Sequence, residues 1–241
     1  MNFINRIWQH CASQCQLCGL TLSDRDQHSL WCNDCIEHAF PQQSRCSQCG
    51  LKTSIPLAQC GECLKSPPPW RTLTCIGDYH QPLSGYVQQL KYHDKLHFAE
   101  VLSPLLAEKI GSPATLITSV PMRWRRYLWR GYNHSHILAK HLHRQFVQAG
   151  IDCQYQRLFT RVKATPTQQG LNKQARLSNL NQAFLLRKEA LAHIKNHEHV
   201  AIVDDVVTTG STTRQLCQLL LEVGVKTIDI YCLCRTPEPS S

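Results

Sequence analysis

From residue 73 onward, short apolar blocks alternate with longer stretches whose apolar positions recur at helical spacing. This pattern predicts strands over Leu73–Tyr79, Leu116–Val120, Arg157–Val162, Val200–Val203 and Thr227–Leu233. It predicts helices over Leu83–His93, Phe98–Ile110, Asn133–Gln148, Asn172–Leu180 and Thr212–Val223, the last closed by Gly224 at a C-cap position. Val200–Val203 and Ile228–Leu233 are short and largely apolar, as in strands covered on both faces. Strands alternating with helices imply crossover connections and a mainly parallel sheet, an α/β architecture. Ligands of such sheets bind at the carboxyl ends of the strands.

The first 70 residues lack this pattern. Ser66-Pro67-Pro68-Pro69-Trp70 separates the two regimes, because consecutive prolines neither continue a helix nor donate to a central strand. The expected organisation is a small module over residues 1–66, a proline-rich linker over 67–72 and a body over 73–241, long enough for a full core. Hydrophobic residues make up 42% and charged residues 18%, ordinary globular usage that excludes a disordered chain. No apolar run approaches the roughly 20 residues of a membrane span. The opening MNFINRIWQHCAS has no apolar segment of the secretory type. A cytoplasmic protein is expected, and a disulfide framework is not.

The 14 cysteines therefore need another role, and ten of them lie in residues 1–75. Eight form the CxxC pairs Cys15-Cys18, Cys32-Cys35, Cys46-Cys49 and Cys60-Cys63. A CxxC turn aims two thiolates at one centre, and two such turns supply the tetrahedral sulfur shell of zinc. Two structural zinc sites are expected, with metal binding supplying much of the module's folding energy. Sequence order favours joining the first two pairs and the last two, while a cross-braced arrangement stays open. A redox dithiol would sit beside a βαβ pattern, which is absent here. Cys75, Cys153, Cys217, Cys232 and Cys234 read as core or surface thiols; Cys11 and His28 are spare donors without an assigned role.

The formal charge of +9 is localised. Residues 1–70 carry five basic and five acidic side chains. Residues 120–176 carry 11 Lys or Arg and one acid, Asp152, which leaves 15 basic and 16 acidic residues elsewhere. A surplus of this size exceeds what a pyrophosphate needs and suits a longer polyanion.

Within the body, Val200-Ala-Ile-Val leads into Asp204-Asp205-Val206-Val207-Thr208-Thr209-Gly210-Ser211-Thr212. Gly210 permits close backbone approach. Free N–H groups at the helix start, with the Thr and Ser hydroxyls, suit a phosphate. The carboxylates would repel a phosphate but suit the hydroxyls of a ribose, directly or through Mg2+ and its waters. No Gly-Lys-Ser/Thr follows, so this is not a Walker phosphate loop. The stretch resembles the 5-phosphoribosyl-1-pyrophosphate (PRPP) signature of the type I phosphoribosyltransferases, which implies PRPP binding by Asp204 through Thr212.

A second polar stretch follows the strand at Leu116–Val120. It contains Arg123, Arg125, Arg126, Arg130 and Asn133, interleaved with Trp124, Tyr127 and Trp129. Arginines here match a pyrophosphate, and Arg alternating with aromatics also suits single-stranded nucleic acid. Arg161, Lys163 and Arg176 extend the basic region. These eight residues are candidates for pyrophosphate or nucleic-acid contact. No catalytic base is identifiable; His134 and His136 are expected on a helix face.

The order of motifs is more specific than any one of them. After the CxxC pairs come Leu90-Lys91-Tyr92, Val120-Pro121, Arg130-Gly131-Tyr132-Asn133, Thr165-Pro166-Thr167-Gln168 and the Asp-Asp/Thr-Thr-Gly-Ser-Thr loop. On these motifs the chain resembles the ComF family (ComFC- and GntX-like competence proteins). Tyr132 stands where that family usually has Phe. The resemblance implies a type I phosphoribosyltransferase-like fold preceded by a double zinc ribbon, and a role in natural transformation or DNA uptake. It implies single-stranded DNA, Mg2+-bound PRPP and a helicase or translocation machinery at the inner membrane as partners, and a loop over Thr165–Phe184 that closes on PRPP. It leaves three functions open: a competence factor with a PRPP-binding body, a metabolic phosphoribosyltransferase acting on a base or nucleotide, and a PRPP-responsive regulator or adaptor.

Overall fold

A computed structural model describes residues 14–23, 30–122, 131–162 and 183–237. The chain divides into two compact units, Met1–Gln43 and Ser44–Ser241. In the first, α1 (Asn33–Ala39) follows a turn closed by the Gln14–Thr21 bridge, and buried Trp31 meets Phe40 edge-on at 5.3 Å. The second unit begins with a similar turn and α2 (Gly61–Lys65). By packing, then, the last two CxxC pairs group with the body.

Five strands form one sheet in the order β1-β7-β6-β2-β3, and every pairing is parallel. They are β1 (Thr72–Asp78), β2 (Leu116–Ser119), β3 (Gln154–Tyr155), β6 (His199–Val207) and β7 (Thr227–Arg235). Helices α3 (Leu83–Tyr92), α4 (His97–Ala107) and α5 (His134–Gln148) pack on one face; α4 meets β1 and β7, and α5 meets β2 and β6. The other face carries α7 (Ser211–Glu222), α6 (Ala190–Ile194) and a two-stranded antiparallel ribbon of β4 (Phe159–Arg161) and β5 (Phe184–Leu186). Val200, Ile202, Ile228, Ile230 and Cys232 bury against Leu216, Cys217 and Leu220 of α7 there, while Tyr231 on the opposite face contacts Phe146 of α5. Burial on both faces explains the unbroken apolar strands.

Most predicted elements are present, with three differences. The strand predicted over Val200–Val203 continues to Val207, because Asp204, Val206 and Val207 pair with Cys232, Cys234 and Arg235. Both acids therefore lie inside the last turns of the strand rather than after it. The strand predicted over Arg157–Val162 leaves the main sheet and pairs instead with β5, at three residues too short for a period to reveal. The helix predicted over Asn172–Leu180 lies outside the described residues. Cys75, Cys153, Cys217, Cys232 and Cys234 are all buried thiols.

Candidate functional site

The eight CxxC cysteines form two clusters, Cys15, Cys18, Cys32 and Cys35, and Cys46, Cys49, Cys60 and Cys63, with their sulfurs within 4.8 Å of one another in each. The sequential pairing is thus the one adopted. A tetrahedron of zinc–sulfur bonds of about 2.3 Å puts its sulfurs about 3.8 Å apart. Cys46–Cys63 at 3.9 Å, Cys49–Cys60 at 3.7 Å and Cys18–Cys32 at 3.9 Å match that spacing. The N–H of Cys60 donates to Cys46 Sγ at 3.2 Å, and that of Cys32 to Cys15 Sγ at 3.4 Å. Against the effect of burial, backbone donors lower Cys15 to about 6 and Cys46 to about 7, while burial and the neighbouring sulfurs raise Cys35, Cys49 and Cys63. Both clusters have the donor set and spacing of structural zinc sites.

At the carboxyl end of β6 the two acids part company. Asp205 is buried and held by two side chains: Lys91 Nζ from α3 at 3.0 Å and His134 Nε2 from α5 at 2.8 Å. Burial raises its carboxyl, but His134 and Lys91 overcome this and hold it below its usual range. Asp204 accepts from Ser135 Oγ at 2.9 Å and from the Asp205 N–H at 3.0 Å. Burial, then the neighbouring Asp205 charge, push it up to about 6. Asn133 caps α5 by accepting from the N–H groups of Ser135 and His136, and its own amide donates to Val120 O at 3.0 Å. That cap fixes His134 and Ser135 over the acids. In the sequence His134 was expected only on a helix face and Lys91 only as part of the Leu90-Lys91-Tyr92 motif; neither was tied to the acids, because strand and helices meet only in the fold.

Beyond Val207 the chain passes Thr208 and Thr209 to Gly210, whose φ of +74° begins α7 without a side-chain cap. A Cβ at Gly210 would lie 3.0 Å from the Trp70 ring, so glycine is required by conformation and by space. Thr213 Oγ1 donates to Gly210 O at 2.8 Å and rigidifies the turn. The first amides of α7, of which Ser211 N–H donates to Thr209 Oγ1 at 3.4 Å, thus stand with the hydroxyls of Thr208, Thr209, Ser211 and Thr212 at a helix start next to the acids. This is the arrangement expected of a phosphate loop.

Beyond Asn133 on the other side lies a cavity of about 280 Å³, lined by Ser119, Asn133, His136, Arg157, Arg161 and Arg187 among others. Tyr155 OH lies 3.0 Å from Ser119 Oγ and contacts His136 Nδ1. Burial, with Arg157 and Lys140 nearby, lowers His136 and keeps it neutral at pH 7. Asn133 and Arg161 of the predicted basic set meet at this cavity. Arg157 and Arg187 were not among the named candidates: Arg157 entered only the charge count of residues 120–176, and Arg187, next to Lys188, lies beyond that stretch. Arg123, Arg125, Arg126, Arg130, Lys163 and Arg176 lie outside the described residues, as does most of the predicted closing loop.

The phosphoribosyl transferase domain family matches residues 133–240, which span Asn133, the acids and the loop. The similarity to curated proteins runs nearly end to end. The DNA utilization protein YhgH of Salmonella typhi is 39% identical over 232 residues, 92% of this chain and 96% of that protein. Its counterpart in Shigella flexneri is 38% identical over 231 residues, with the same coverage. Competence protein F of Haemophilus influenzae is 32% identical over 249 residues, 98% of this chain and 99% of that protein.

The chain belongs to the ComF family. Its parallel sheet, phosphoribosyl transferase domain and N-terminal four-cysteine clusters are those expected of the family from the motif order. Among the described residues, no helix is long and apolar enough to cross a membrane.

Proposed function

We propose that this ComF-family protein is a DNA-uptake factor that binds PRPP at Asp204 through Thr212 and handles incoming single-stranded DNA in the cytosol. The observation that carries this reading is the end-to-end similarity to DNA utilization protein YhgH and Competence protein F, joined to a phosphate-loop geometry in the same chain. Asp204, which has no ion-pair partner among the described residues, accepts the ribose hydroxyls; Asp205, with Lys91 and His134, holds the strand end in place. The loop amides receive the 5-phosphate. The described residues offer no oxygen cage for magnesium, since Asp205 is engaged by Lys91 and His134, so Mg2+ enters on the pyrophosphate of PRPP. Arg161 and Asn133, with the basic residues of 123–130, Lys163 and Arg176, serve the pyrophosphate and the DNA backbone. A helicase-type protein is the further partner.

Titrating PRPP and single-stranded DNA into the same protein tests this directly. Both should bind, DNA more weakly as salt rises, and Asp204→Ala should abolish PRPP binding and depress transformation. Wild-type transformation by the Asp204→Ala, Asp205→Ala double variant would remove the nucleotide site from the role.

A second reading, phosphoribosyl transfer, is favoured by the arginine-lined cavity beside Asn133. A nitrogen nucleophile there would form the bond to ribose C1 as the C1–O bond to pyrophosphate breaks; the leaving pyrophosphate would take the electron pair, and the nitrogen would release its proton to water. Pyrophosphate release across a panel of bases and nucleotides distinguishes the two.

A further inference from the structure

The loop that follows β6 is braced from behind by the turn of the second cysteine cluster. Arg235, the last residue of β7, lies opposite Val207 and is 8% exposed. Its Nε donates to the carbonyl of Cys49 at 2.9 Å. Its Nη1 reaches the carbonyls of Val207 at 3.2 Å, Thr208, and Thr236 at 2.8 Å. A trans peptide carries its N–H opposite its C=O. Fixing the Val207 and Thr208 carbonyls on Arg235 therefore aims the N–H groups of Thr208 and Thr209 away from it, toward the side a phosphate would occupy.

A second strut starts one residue earlier in the same turn. Trp70 Nε1 donates to Gln48 O at 2.7 Å, and the Trp70 ring packs against Gly210 with Arg214 5.4 Å above it. Gln48 and Cys49 belong to the turn whose cysteines, Cys46 and Cys49, point into the cluster. Whatever fixes that turn also fixes the loop.

We propose that Arg235 is a positioning residue that ties the phosphate loop to the Cys46–Cys49 turn, coupling ligand binding at the loop to metal retention at Cys46, Cys49, Cys60 and Cys63. The inference rests on the phosphate-loop reading for its ligand, but not for the bracing itself. Coupling of this kind is reciprocal: zinc preorganises the loop, and a bound phosphate slows loss of zinc. Lysine at 235 would keep the charge but lose the planar fork that serves several carbonyls at once.

The test uses the full, zinc-loaded chain as wild type, Arg235→Gln and Arg235→Lys. Hydrogen exchange of the bonded loop amides of Ser211, Arg214 and Thr236 should be roughly tenfold faster in Arg235→Gln, as expected for losing a bond or two, while amides 200–203 stay unchanged. In the wild type, PRPP should slow alkylation of Cys46, Cys49, Cys60 and Cys63 under a chelator, leaving Cys15, Cys18, Cys32 and Cys35 unaffected. Arg235→Gln should abolish that protection. If Arg235→Gln loses its cooperative unfolding, Arg235→Lys decides by the same readings, with a smaller acceleration. Unchanged loop exchange in the folded variants, or equal protection of both clusters, would overturn the proposal. Faster loop exchange in a protein whose wild type binds no PRPP would leave the bracing intact and remove the phosphate-loop reading instead.

Discussion

The two cysteine clusters have the same spacing motif and sulfur geometry, yet their surroundings differ. In the first, Cys15 is buried, Cys18 exposed and Cys32 and Cys35 half-buried, and its turn glycine, Gly19, would place a Cβ in open space. In the second, Cys46 and Cys63 are buried, and a Cβ on Gly50 would meet Leu73 Cδ2 at 2.4 Å. The second turn is bonded to the sheet at several points. Leu73 N–H donates to Ser47 O at 2.9 Å, Arg45 pairs with Asp78 at 2.6 Å and donates to Gly50 O at 2.9 Å, and Trp70 and Arg235 reach Gln48 and Cys49. One motif thus closes a small unit of its own, and serves again as a structural wall of the body.

Removing a ligand from each cluster should expose that difference most strongly. Structural zinc contributes on the order of 10 kcal/mol or more to small metal-held folds. Cys60→Ser should lower the main calorimetric transition by tens of degrees, whereas Cys32→Ser should lose one zinc and leave that transition near the wild type. Equal shifts would mean the clusters are energetically alike.

Next in size is Asp205→Ala, which strikes the second unit at the far side of the loop. It strands Lys91 and His134 without their carboxylate and should cost about 3–5 kcal/mol in urea unfolding. The turn glycines give a smaller, paired contrast. Gly19→Ala carries only the cost of a positive φ, about 1 kcal/mol. Gly50→Ala adds the displacement of Leu73, for about 2–3 kcal/mol in all. Similar losses at the two glycines would contradict the packing difference between the turns.

The mildest lever is pH, and it acts on the second unit through Asp204. Its carboxyl sits at about 6 when folded, above an unfolded value near 3.9. The stability associated with its protonated form is present below about pH 4 and is lost as pH rises through 6. Asp204→Asn should therefore stabilise the body by about 1–3 kcal/mol at pH 7.5, with the gain vanishing near pH 4. Asp205 runs the opposite way, its contribution being lost as acid protonates it below its unfolded value. PRPP affinity should rise between pH 5 and 7 in the wild type as Asp204 ionises, and an Asp204→Asn protein should lack that component.

The sequence by itself determined the α/β order, the four CxxC pairs, the acidic strand end with its Gly210 loop, and the helix start at Asn133. All are local: periodicity, ligand spacing and turn chemistry act over a few residues. Tertiary structure decided the rest. It chose sequential over cross-braced cysteine pairing, and it grouped the second cluster with the sheet through contacts such as Arg235 to Cys49, 186 residues apart. It also separated two adjacent, identical side chains, because Asp205 faces Lys91 and His134 while Asp204 faces Ser135. The short β3, β5 and α6 escaped prediction because two to five residues hold no period, and their pairing partners are distant in the chain. Charge and burial are properties of the neighbours a fold assembles, so the chemistry of each acid appears only when strand and helices are brought together.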